Sequence, residues 1–113
     1  MPTAAGPERA PDAALEALGD ASRREILALL GAQNRSVQEL AAQLPISRPA
    51  VSRHLRVLKD AGLVAEEAVG TRRIYHLQPD GALAVRDYLE RVWGEAAVRF
   101  RLLAENTSRG DDG

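Results

Sequence analysis

The chain reads as a mainly α-helical domain carrying one small β-hairpin, with elements in the order ααααββα. Three observations predict this. Apolar residues recur at three- and four-residue spacing along most of the 113 residues. Capping residues, glycines and a proline punctuate that pattern at intervals suited to short helices. Two short β-rich runs flank Gly70, and one long amphipathic stretch follows them.

The elements follow in order. Residues 1–11 hold three prolines and a glycine with little apolar content, and read as a flexible tail. The first helix begins near Asp12, carries Leu15 and Leu18 inward, and ends at Gly19. Asp20 is placed to cap a second helix that runs through Leu30 with Ile26, Leu27 and Leu30 on one stripe; Gly31 terminates it. Ser36 and Glu39 form an S-x-x-E capping box, opening a third helix with apolar positions 37, 40, 41 and 44. Pro45 stops it, because a residue before proline is pushed out of helical geometry. Ser47 caps the fourth helix, and Pro49 is tolerated in its first turn. Val51, Leu55 and Leu58 form its inner stripe, and Gly62 is its stop. LVAEEA and RRIYHL, around Val-Gly-Thr, read as a hairpin. A last helix runs from Pro79 to about Ala104, and residues 105–113 read as a second flexible tail. Residues 12–104 form one domain without repeat or linker.

Composition narrows the function. Apolar residues make up 45% of the chain and charged residues 27%, ordinary for a globular domain. The absence of cysteine excludes disulfides, thiol catalysis and thiolate metal sites. No apolar run approaches the roughly 18 residues of a membrane span. The N-terminus lacks the apolar stretch of a secretory signal, so a cytoplasmic location is expected. Two distant histidines, His54 and His76, with no clustered carboxylates predict no metal site, and no cofactor is implied. No nucleophile–base pair or phosphate loop is present, so an enzyme is not expected.

Charge is distributed unevenly. The net charge is −1, yet residues 46–59 hold Arg48, Arg53, Arg56 and Lys59 and no acid. A basic segment in a near-neutral chain points to a localised anion-binding face. With Val51, Leu55 and Leu58 inward, Pro49, Ser52, Arg53 and Arg56 point outward or sideways, and Ser47 and Arg48 lie at the N-terminal tip. The third and fourth helices are expected to be two to four residues apart. That is a helix-turn-helix, and the hairpin after it is a wing.

An α-helix fits the major groove of DNA, and arginine can donate two parallel hydrogen bonds to guanine. Arg48 and Arg53 are the expected base readers, Ser52 a weaker one, and Arg56 and Lys59 phosphate contacts. Arg72 and Arg73 at the wing either reach the DNA backbone or minor groove, or bridge to Glu66 and Glu67 across the hairpin. Ser36 and Gln38 sit where a helix N-terminus can hold a phosphate, although capping alone accounts for Ser36. His54 reads as half-buried and hydrogen-bonded to backbone, with a phosphate contact as the alternative.

The last helix carries Tyr88, Leu89, Val92, Trp93, Ala96, Phe100 and Leu103. About 26 residues span ~39 Å, more than so small a core covers. The same helix in a second copy, with Leu15 and Leu18 alongside, is the simplest partner; folding back on its own core is the alternative. Two copies about a two-fold axis would read a palindrome with half-sites about one helical turn, ~34 Å, apart.

ALGDASRREILALL, VQELAAQLPISRPAVSRHLRVLKDAGLV and GTRRIYHL together resemble the ArsR/SmtB-type winged-helix repressors of bacteria. The resemblance spans residues 12–104. It implies a homodimeric, sequence-specific repressor of double-stranded DNA, with first and last helices at the dimer interface and the fourth helix in the groove. Metal-sensing members carry thiolates near the start of the third helix, where this chain has Ser36 and Gln38, or histidines on the last helix, where it has none. The resemblance is therefore to the metal-independent, often autoregulatory branch, with no effector identified. A winged-helix module that binds an acidic protein partner is the alternative function.

Overall fold

A computed structural model describes residues 11–112, with side chains through Glu105. Residues 1–10, expected as a tail, lie outside the described residues. The order is α1 (Asp12–Leu18), α2 (Ala21–Ala32), β1 (Arg35–Ser36), α3 (Val37–Ala42), α4 (Arg48–Asp60), β2 (Val64–Val69), β3 (Arg72–Leu77) and α5 (Pro79–Asp112).

The capping signals act as read. The Asp20 side chain accepts from the Arg23 amide at 3.1 Å, and Ser47 Oγ accepts from the Ala50 amide at 3.2 Å. Both halves of the capping box form: Glu39 N donates to Ser36 Oγ at 3.2 Å, and Ser36 N donates to Glu39 Oε1 at 2.8 Å. Val51, Leu55 and Leu58 of α4 are buried with Ile26 and Leu30 of α2, Leu40 of α3 and Val64 of β2. This core lies under the middle of α4 and holds its inner stripe, so the opposite stripe is turned to solvent.

Several expectations need correction. Ala14 and Ala17 are the buried residues of α1, Leu18 packs on the edge of the core, and Leu15 is 38% exposed. The inward face follows the i, i+3 pair of small residues, and Leu15 is turned away from it. Helix α2 runs past Gly31 to Ala32. A glycine costs a helix only about 1 kcal/mol. It stops one readily in a left-handed conformation, which among the described residues only Gly62 and Gly70 adopt. Five residues, 43–47, separate α3 from α4 instead of two to four. Leu44, before Pro45, is barred from helical geometry, and Gln43 closes a tighter turn onto Leu40 O at 3.0 Å.

The hairpin gains an unforeseen strand. β1 pairs antiparallel with β3, Arg35 opposite Tyr75 and Ser36 opposite Ile74, giving the sheet order β1-β3-β2. A two-residue strand shows no alternation to read in a sequence. β2 and β3 pair from Val64↔Leu77 to Val69↔Arg72 and leave Gly70 and Thr71 as the turn. Gly70 has φ 66°, the sign a two-residue hairpin turn requires.

Helix α5 continues through Asp112, beyond the expected end near Ala104, so residues 105–112 are helix and not a separate tail. No proline interrupts it there, and elongation adds one hydrogen bond per residue once a helix is nucleated. Its 34 residues span about 51 Å. It packs chiefly on α1 and projects beyond the rest. The radius of gyration is 18.7 Å, against about 13 Å for a compact chain of this length. Among the described residues no helix is long and apolar enough to cross a membrane.

Candidate nucleic-acid interface

The exposed stripe of α4 carries the strongest concentration of uncompensated charge. Arg48, Arg53 and Arg56 are exposed, with Ser47, Pro49 and Ser52 between them. None of the three arginine side chains makes a hydrogen bond or ion pair within the chain among the described residues. Arg48 lies in the first turn of α4, where unpaired backbone amides add a partial positive charge, and Arg53 and Arg56 follow along the helix. Gln38 is exposed on α3.

The remaining cations of this region are paired. Lys59 Nζ lies 3.1 Å from Glu66 Oε2, and Arg73 Nη1 lies 2.8 Å from the same oxygen. Arg72 reaches α3, with Nη2 donating to Ser36 Oγ at 3.2 Å and lying 3.4 Å from Glu39 Oε2. The sequence left both wing arginines open between DNA and cross-strand glutamates. Arg73 pairs across the hairpin as one alternative held, while Arg72 takes a partner on α3 because β1 brings β3 beside the capping box. Ser36 is buried, and its hydroxyl oxygen serves both the cap and Arg72, so it is not a free anion site.

These pairings leave their mark on ionisation. A hydrogen bond from Tyr75, then one from Lys59, holds the Glu66 carboxyl below its ordinary value. Burial, aided by Glu66, pushes the Tyr75 phenol up to about 12. The Ser36 amide holds Glu39 down, and the Arg23 amide does the same for Asp20. Glu66 is thus the ionised hub of the wing and Glu39 the anchor that ties the wing to α3.

His54 is half-buried, as read, but its partner is a side chain. Its Nδ1 lies 3.3 Å from Arg23 Nη1. Arg23 also donates from Nε to Ala17 O at 2.8 Å and from Nη2 to Glu16 O at 3.4 Å. An arginine only donates, so Nδ1 accepts here, and the ring is directed toward α1 and α2 instead of the outer face. Nothing in the spacing of Arg23 and His54 announces this contact, because 31 residues separate them. His76 Nδ1 sits beside Leu77 O at 3.1 Å on the outer strand surface. Among the described residues no group of three or more His, Cys, Asp and Glu side chains is placed to hold a metal.

Away from α4 the chief exposed feature is apolar. Leu89, Val92, Trp93, Phe100 and Leu103 are 46–74% exposed along one stripe of α5, with Ala96 among them. Tyr88 is half-buried and meets Trp93 edge-on, ring centroids 6.3 Å apart at 82°. Leu83, Val98 and Leu102 are also exposed. Val98 and Leu102 fall on the opposite side of the helix, which the sequence reading did not single out.

Comparison with known proteins agrees with this geometry. The profile of the bacterial regulatory protein arsR family matches residues 20–66. The chain is 48% identical over 104 residues to the HTH-type transcriptional regulator Rv2034 of Mycobacterium tuberculosis, covering 92% of this chain and 95% of that one. It is 34% identical over 62 residues to the transcriptional repressor SdpR of Bacillus subtilis, covering 55% of this chain and 69% of that one. Among solved structures it resembles the homodimeric winged helix-turn-helix DNA-binding domain Mb0332 from Mycobacterium bovis. That likeness has a TM-score of 0.59 at 28% identity over 74% of this chain and 82% of that one.

Proposed function

Because the chain belongs to the arsR family of bacterial regulatory proteins, and is thus a DNA-binding transcriptional regulator, we propose that it is a homodimeric repressor of a palindromic operator in its own promoter. The observation that carries this reading is the set of three exposed, unpaired arginines on α4 beside an acid-paired wing. In this reading Arg48 and Arg53 contact base edges, each bidentate contact to guanine adding about 1–3 kcal/mol of discrimination. Ser52 adds a weaker polar contact. Arg56, Ser47 and Gln38 meet phosphates and set register. Pro49 holds the first turn of α4 against the groove.

Dimerisation joins the α5 stripe to its copy, with Leu15 and Leu18 of α1 flanking it, and residues 12–112 act as one DNA-binding and dimer-forming unit. The homodimeric state of the Mycobacterium bovis relative supports this, as do the length of α5 and the apolar side chains it leaves exposed. Repression is steric: a dimer across the promoter excludes polymerase. The relative named as a repressor supports that sign of regulation.

Footprinting on the DNA upstream of the coding sequence tests the whole reading. The expected result is a protected inverted repeat with half-sites about one helical turn apart. Protection of a single asymmetric half-site would refute the dimeric part. Affinity no better than for random DNA at equal salt would refute sequence-specific repression.

A further inference from the structure

We propose that Arg23 and Gly81 are positioning residues that fasten α4 to the two dimer-forming helices, and so determine which half-site spacing the regulator accepts. This rests on the dimeric reading above and adds a specificity role to residues that touch no DNA in it.

The first fastening is Arg23. Its guanidinium takes up the Ala17 and Glu16 carbonyls at the C-terminal end of α1, at 2.8 and 3.4 Å, and meets His54 of α4 at 3.3 Å. A helix ends with carbonyls that lack a partner within it; the Gly19 amide takes up Glu16 O at 3.1 Å, and Arg23 takes up Ala17 O and shares Glu16 O. Its third contact is on the side of α4 facing away from the exposed arginines. One side chain, rooted in α2, joins α1 to α4.

The second fastening is made of backbone. Gly62, with φ 74°, follows α4; its amide donates to Lys59 O at 3.0 Å and the Leu63 amide donates to Leu58 O at 2.9 Å. This pair of bonds closes the C-terminal end of α4. The Gly62 carbonyl then accepts from the Gly81 amide at 2.8 Å, and Leu63 O accepts from Gln78 N at 2.9 Å. Gly81 lies in the first turn of α5, where amides lack partners within the helix. The approach is so close that a Cβ on Gly81 would strike the Ala61 carbonyl oxygen, and backbone cannot move aside as a flexible side chain would. Both ends of the joint are thus closed, one by a guanidinium and one by two glycines. A dimer built on α1 and α5 would carry its two α4 helices at a set separation and angle.

The test uses the full-length protein and the operator found by footprinting, with one base pair inserted or removed between half-sites. Each such change moves one half-site by about 3.4 Å and roughly 34°. The unaltered protein should lose about tenfold or more in affinity at either changed spacing. Arg23→Gln and Gly81→Ala should remain dimeric by sedimentation and bind the original operator, yet differ by less than about threefold across the spacings, or shift their optimum by a base pair. If Gly81→Ala fails to fold, Arg23→Gln carries the test alone. A variant that binds more weakly at every spacing but keeps the profile of the parent overturns the proposal, as does a variant indistinguishable from the parent. A parent protein with no spacing preference would instead bring down the dimeric reading, and this proposal with it.

Discussion

The salt dependence of DNA binding separates the free cations from the paired ones. Arg48, Arg53 and Arg56 are unpaired, whereas Lys59, Arg72 and Arg73 already face Glu66 or Glu39. A cation neutralised within the chain gains little by displacing a counterion from DNA. Of the three free arginines, Arg48 and Arg53 read bases in the proposed complex and Arg56 meets phosphate, which makes about two phosphate contacts per proposed dimer, so log K should fall with log salt at a slope of about −2. Raising salt fourfold, from about 50 to about 200 mM, should then weaken operator binding by roughly 12-fold. If the three paired cations also reached phosphates, the slope would approach about −7 and the same step would cost on the order of ten-thousandfold. Fluorescence anisotropy with labelled operator across that salt range distinguishes these outcomes. Arg56→Ala removes two contacts per dimer and should lower the slope by nearly ~2, while Arg73→Ala should change it by less than about 0.5. A parent slope near about −7, or an Arg73→Ala effect equal to that of Arg56→Ala, would refute the division into free and paired cations.

Further consequences can be measured directly. Leu55→Ala empties a site that is 1% exposed beneath α4, and should cost about 2–5 kcal/mol in urea unfolding; a loss under about 1 kcal/mol would mean that the core does not hold that helix. Phe100→Glu and Trp93→Glu place charge on the exposed α5 stripe and should convert dimer to monomer in sedimentation with loss of operator binding, while an intact dimer would remove that stripe from the interface. Asp20, Glu39 and Glu66 all titrate below their ordinary values in the fold. Their stabilisation is present above the ordinary carboxylate range and lost as pH falls through their lowered values, so thermal melts should fall on acidification from about pH 5 toward pH 3. Glu66→Gln should blunt that acid sensitivity, and an unchanged profile would contradict the hub role of Glu66. Tyr75 runs the other way: its phenol is raised to about 12, so its share of stability persists below about pH 10 and is lost as pH rises through the raised value.

The helices were legible because their signals are local. Asp20, Ser36 with Glu39, and Ser47 each act within three residues, and Val51, Leu55 and Leu58 repeat at the helical period. The hairpin was legible from Gly70 and its flanking strands for the same reason. The outward stripe of α4 followed at once, since burying one face of a helix exposes the other.

Contacts between distant residues were not legible. No pattern in the chain announces that β1 will bring Ser36 beside β3, so Arg72 finding Glu39 emerged only on folding. The same holds for Arg23 meeting His54 across 31 residues, and for Gly81 closing on Gly62. Residue types and spacing settled which helices form and which arginines they display. Which of those arginines stay free was settled by three-dimensional packing, because charge is cancelled by whatever lies within a few ångströms, and sequence neighbours are only some of what does.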